Sequence, residues 1–102
     1  MSETPHKFEC YTGVDIAAKD FTAATMLPHD KPKLYPKPFP QTQAGFQHFC
    51  QHLQIHGVTA NQHLIVMEAT GSYWIALAVA LHEAGFVVSV VNPAQAHYFA
   101  KA

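Results

Sequence analysis

Polar and apolar positions alternate over residues 8–17. Phe8, Cys10, Thr12, Val14 and Ile16 fall on one side of an extended chain, and Tyr11, Gly13 and Asp15 on the other. A period of two predicts a β-strand there. Ala18-Lys19-Asp20 suits a turn, and residues 21–27, Phe-Thr-Ala-Ala-Thr-Met-Leu, read as the returning strand of an antiparallel hairpin. The pattern then breaks. Pro28, Pro32, Pro36, Pro38 and Pro40 crowd the next segment, and because proline removes ladder donors only a short edge strand around residues 34–38 is expected.

Helical spacing takes over at residues 42–56, where Phe46, Phe49, Cys50 and Leu53 recur at i, i+3, i+4 and i+7 and Gly57 closes the run. Residues 63–68 form a short apolar stretch ending in Glu68, the pattern of a strand covered on both faces. Thr70-Gly71-Ser72 breaks that strand and offers hydroxyl caps to an apolar helix over residues 73–84 (Tyr73, Trp74, Leu77, Ala78, Leu81), stopped by Gly85. Residues 86–91 read as another buried strand. Asn92-Pro93 then opens a helix expected to run to Ala102. Two antiparallel strands followed by alternating helices and strands predict an α/β domain with a mixed sheet of about five strands. In such a sheet the first and fourth predicted strands can lie parallel side by side, with their carboxyl ends opening into one crevice.

At 102 residues the chain is expected to form one domain. Its 49% hydrophobic and 13% charged residues suit a folded core rather than a disordered segment. No apolar run approaches the roughly 18 residues of a membrane span, and residues 1–5 lack a secretory pattern, so a cytoplasmic address without membrane partners is expected. Cys10 and Cys50 stand in no CxxC spacing and read as reduced, partly buried thiols. A net charge of −1 gives no electrostatic argument for nucleic-acid binding by this chain alone. Lys19 and the strip Lys31, Lys33 and Lys37 are the candidate phosphate contacts, although the plainer reading of the strip is an extended surface connection. His48, His52 and His56 recur every four residues, a spacing that can share a zinc ion. His48 and His52 point away from the Phe46/Phe49/Leu53 stripe, however, and no thiolate or acid completes a shell, so a solvent face is expected.

Asp15 and Glu68 carry the candidate chemistry. Each stands at the carboxyl end of a segment read as a buried strand, where an unpaired carboxylate costs several kcal/mol. A proton-sharing dyad or a glycosidase pair does not account for a hairpin-first α/β order. Hard oxygen ligands for Mg²⁺ or Mn²⁺ do, since these ions take one or two protein carboxylates and fill the remaining positions with water and phosphate oxygens. Plainer roles stay open. Asp15 could cap the turn at Lys19-Asp20, Glu68 could accept backbone N–H groups near Thr70-Gly71, and Gly71-Ser72 reads first as turn chemistry and second as a phosphate seat at a helix start.

Three strings and a terminal segment then add a resemblance. Gly13-Val14-Asp15-Ile16-Ala17-Ala18-Lys19-Asp20-Phe21, Met67-Glu68-Ala69-Thr70-Gly71-Ser72-Tyr73-Trp74 and Val90-Val91-Asn92-Pro93-Ala94-Gln95, with Phe99-Ala100-Lys101-Ala102, resemble the N-terminal domain of the insertion-sequence transposases related to the Piv and MooV DNA invertases. The likeness covers almost the whole chain in order. It implies a RuvC-like DEDD domain of ribonuclease H-like fold over residues 1–102, with Asp15 as the D and Glu68 as the E. The other two aspartates of such a set normally follow a short way beyond the Phe-Ala-Lys-Ala segment. No acid follows Glu83 here, so the resemblance implies half of the metal-binding set, without the C-terminal transposase domain. It further implies Mg²⁺ or Mn²⁺ as cofactor, DNA as substrate, a structured guide RNA and further copies of the chain as partners, and DNA strand cleavage and exchange by the full-length protein.

Two other readings compete. A non-catalytic module would dock RNA, DNA or a second copy through Lys19, the basic strip and aromatics such as Tyr98. Sugar kinases and actin-like ATPases also open on a Gly-x-Asp strand and hairpin, but they generally want a glycine- or threonine-rich turn after the Asp, and Ala17-Ala18-Lys19 supplies none.

Overall fold

The computed structural model describes residues 8–27, 30–35 and 37–92. Pro28, Pro36, and the helix expected beyond Asn92 with Tyr98 and Lys101, lie outside the described residues. Strands β1 (Cys10–Ile16) and β2 (Asp20–Met26) form the predicted hairpin. They are followed by β3 (Lys33–Leu34), β4 (Phe39–Pro40), helix α1 (Gln43–Gln54), β5 (His63–Glu68), helix α2 (Ile75–Glu83) and β6 (Val87–Val91). The sheet runs β3-β2-β1-β5-β6, with β4 also paired to β2. β5 lies parallel to both β1 and β6. This mixed α/β sheet with a leading antiparallel hairpin is consistent with a ribonuclease H-like fold. Among the described residues no helix is long and apolar enough to cross a membrane.

One sheet face and both helices make the core. Val14, Phe21, Ala23, Ile65 and Met67 point inward from the strands to meet Phe46, Phe49 and Leu53 of α1 and Leu77 and Leu81 of α2. Phe21, Phe39, Phe46 and Phe49 pack ring against ring, with centroids 5.1 Å apart for Phe21–Phe49 and Phe39–Phe49. Removing one such ring from a close-packed cluster typically costs about 3–5 kcal/mol. The start of α1 is held equally closely. Thr42 caps it by accepting from the Gly45 N–H at 3.0 Å. A Cβ at Gly45 would collide with the carbonyl oxygen and the ring of Pro40.

Several expectations need correction. The apolar run 63–68 is not covered on both faces: burial alternates along β5, and no described element covers the face carrying Glu68. β6 is likewise only partly buried, with Val87 and Val90 exposed. The edge strand expected over residues 34–38 resolves into two two-residue strands pairing with different stretches of β2, as proline spacing allows. Neither Thr70 nor Ser72 caps α2. Its N-cap position is Trp74, which makes no side-chain cap bond. Gly71, at φ 55°, turns the chain, and the Trp74 indole N–H donates to the Gly71 carbonyl at 3.1 Å. His52 does not lie on a solvent face, because its ring packs edge-on against Tyr35 and Phe39 at 5.8 and 5.3 Å. A short 3₁₀ turn at Ala60–Gln62, leading into β5, has no counterpart in the sequence reading.

A polar chain runs through the otherwise apolar interior. His63, fully buried, places Nε2 2.6 Å from Thr12 Oγ1. Thr12 meets Thr25 at 2.7 Å, Thr25 meets the Tyr35 hydroxyl at 3.0 Å, and that hydroxyl lies 3.2 Å from His56 Nε2. His63 Nδ1 has no partner among the described residues. A bare lone pair there is cheaper to bury than an unsatisfied N–H. The proton therefore sits on Nε2, and each group donates to the next, from His63 through Thr12, Thr25 and Tyr35 to His56. Burial first, and then the repulsion a second charge on nearby His56 would add on protonation, pushes the His63 pKa from 6.5 down to about 4.

A histidine held neutral in the fold stabilises it above the unfolded-state value and loses that contribution as acid charges the unfolded chain. Stability is thus expected to fall between pH 6.5 and about 4, by up to about 3 kcal/mol. Urea unfolding across this range, compared with His63→Asn, checks it: the variant should show a flatter profile. Gly45→Ala is expected to cost about 1–3 kcal/mol by overpacking against Pro40, read as a lowered midpoint in the same titrations.

Candidate functional site

Parallel pairing places Val14 of β1 beside Met67 of β5. The next residues on each strand, Asp15 and Glu68, therefore stand level on neighbouring strands about 4.8 Å apart. Val14 and Met67 point into the core and side chains alternate, so both acids project from the opposite, open face. They border one cleft of about 600 Å³, together with Gly13, Thr22, Val66 and Val91. Register explains the lining, because Asp15 pairs with Thr22 on β2 and Glu68 with Val91 on β6. The cleft is roomy partly because Gly13 has no side chain, and a Cβ there would meet nothing within 4 Å.

Both carboxylates are exposed. The desolvation penalty expected for acids on buried strands is therefore absent, and burial gives no argument for a metal here. The plainer roles are also filled by other groups. The hairpin turn is closed by the Ala17 N–H donating to the Asp20 carbonyl at 2.8 Å, and near Glu68 the Thr70 N–H donates to its backbone carbonyl at 2.9 Å. Neither carboxylate takes a hydrogen bond or an ion pair among the described residues. Two neighbouring hard oxygen donors with free lone pairs beside an open cleft fit a Mg²⁺- or Mn²⁺-like ion as part of its shell. They do not fill it. Among the described residues no three His, Cys, Asp or Glu side chains gather as a metal site.

The lysines do not converge on these acids. Lys19 is exposed in the hairpin turn, Lys31 is exposed further along, and Lys33 reaches Asp30 at 4.0 Å. Lys37 lines a separate hollow with His48, His52, Tyr35 and Phe39. Leu34 and Tyr35, from the same segment, do reach the edge of the acidic cleft. Cys10 and Cys50 are free thiols, each raised in pKa by burial.

Gln41, between β4 and α1, escaped the sequence reading. Its side-chain amide donates to the Ala17 carbonyl and to the Tyr73 carbonyl, each at 3.1 Å. No motif marks such a residue, since its partners are backbone atoms brought close only by the fold.

A family model described as "Transposase", that of the IS110 group of DEDD transposases, matches residues 12–102. The chain is also similar to the pilin gene-inverting proteins of Moraxella bovis and Moraxella lacunata. Each is 32% identical over 91 residues, covering 89% of this chain and 27% of the relative. The chain thus spans about a quarter of the length of these relatives. The family match extends over nearly all of the sequence and takes in both Asp15 and Glu68, so the chain belongs to the DEDD transposase family.

Proposed function

We propose that this chain supplies the first half of a metal-dependent DNA strand-cleaving centre, with Asp15 and Glu68 as two of its four acids. The observation that carries this reading is their placement: level on adjacent parallel strands, facing one open cleft, with no competing partner among the described residues. The family match and the gene-inverting relatives agree with DNA as the substrate. A bound divalent ion would supply charge stabilisation to a phosphodiester undergoing displacement. The chain's own residues hold that ion through two carboxylates and leave room beside Gly13 for a phosphate backbone to approach. Lys19, Lys31, Lys33 and Lys37 are exposed and away from the acids, and in this reading they would contact phosphates outside the centre, from DNA or from a guide RNA. Assembly with further copies belongs to the same proposal. With two acids of four the ion is under-neutralised, so binding is weak and DNA cleavage by the 102-residue chain is absent.

Mn²⁺ titration of the chain, of Asp15→Asn and of Glu68→Gln tests this. The parent is expected to bind weakly, in the high micromolar to millimolar range, and each variant to lose most of that binding. Equal binding by all three removes the site assignment. Because both side chains are exposed and unpartnered among the described residues, each variant should keep or slightly raise stability, within about 0.5 kcal/mol. Metal loss therefore cannot be read as unfolding. A salt-dependent DNA mobility shift untouched by Glu68→Gln, without Mn²⁺ binding, would instead favour a docking module.

A further inference from the structure

Gln41 touches neither acid, yet it bonds the chain where it leaves each acid-bearing strand, at Ala17 after β1 and at Tyr73 in the turn after β5. Ala17 follows Asp15 by two positions, just past the end of β1, and Tyr73 follows Glu68 by five, in the turn between β5 and α2. Both of its side-chain partners are backbone carbonyls, which only accept. The amide must therefore turn its nitrogen toward them, and its two N–H bonds serve both at once. The Gln41 backbone N–H adds a third tie, donating to the Lys19 carbonyl at 3.0 Å. Gln41 is itself held on both sides. Pro40 is paired to Asp20, the Thr42 N–H donates to the Pro40 carbonyl at 2.9 Å, and α1 begins at Gln43.

We propose that Gln41 is a positioning residue that locks the strand end carrying Asp15 to the one carrying Glu68, fixing the spacing of the two carboxylates. The role builds on the metal reading above but has its own physical test. Strand pairing sets the register of β1 and β5 only as far as Val14 and Met67. Asp15 and Glu68 keep their outer pairings, with Thr22 of β2 and Val91 of β6, and only after them do the chains part, one into the hairpin turn and the other into the turn before α2. A single amide bridging the two exits supplies the constraint that the ladder no longer provides. Two carboxylates that share an ion gain from a preset separation, because less ordering remains to be done on binding.

The test uses the full chain with Gln41→Met, close in shape but without donors, and Gln41→Glu, of the same length but accepting where Gln donates. Amide hydrogen exchange without metal reads the linkage directly. Ala17, bonded to the Asp20 carbonyl, and Ile75, bonded to the Ser72 carbonyl, report the two exits. Both should exchange about 3- to 10-fold faster in each variant, as expected for the loss of one or two neutral hydrogen bonds. Amides in the centre of β1 and β5 should hold their rates. Mn²⁺ affinity should fall about 3- to 10-fold. Acceleration in one exit only, or in neither, overturns the proposal. So does acceleration in both with Mn²⁺ affinity unchanged, provided the parent's binding is lost in Asp15→Asn. If Asp15→Asn binds like the parent, the metal assignment falls instead, and exchange at Ala17 and Ile75 alone decides whether Gln41 joins the two ends.

Discussion

β1 and β5 share five registered positions, from Cys10 beside His63 to Val14 beside Met67. Parallel strands cannot be joined by a tight turn. The chain between them must travel, and it does so through the return strand β2, the proline-rich edge and helix α1 before entering β5. Each of those elements is then fixed by the need to bring β5 back beside β1. The register also decides what faces what. Inward it sets His63 against Thr12, and outward it sets Glu68 level with Asp15.

The two faces of this pairing have opposite chemistry. On the inner face, polar atoms are tolerated because they satisfy one another in sequence, from His63 to Thr12, Thr25, Tyr35 and His56. A continuous hydrogen-bonded chain in a low-dielectric core favours one arrangement over its neighbours, since a slipped strand would strand several donors at once. Tyr35 extends this control to the proline-rich segment, whose own backbone can make few ladder bonds. The outer face carries no such satisfaction. It is apolar along Leu64 and Val66, and its acids are open.

Much of this was legible from residues alone. Alternation in residues 8–17 placed Gly13 and Asp15 together on one side, and the Met67-Glu68 string set the second acid at a strand end. What stayed hidden depends on long-range closure. Nothing local tells Thr12 that its partner is His63, or assigns His52 to a hollow against Tyr35 and Phe39. Helical geometry indicated which way His52 points, but not that the proline-rich segment folds back to meet it. The apolar run of β5 suggested two covered faces because valine, isoleucine and leucine read alike whether a strand is buried once or twice. Burial of the acids was misjudged for the same reason.

Asp15 and Glu68 place two like charges side by side with no counter-charge from the described residues. Even fully in water such a pair repels by about 1 kcal/mol at 4 Å. Folding alone gives no reason to retain that repulsion, and neutral side chains would serve the sheet better. Any cation that settles between the two carboxylates relieves it, and by mass action then favours the folded over the unfolded chain. On the reading proposed for them, the two acids trade a little stability for charge density, and cation occupancy and fold stability would be two readings of one equilibrium.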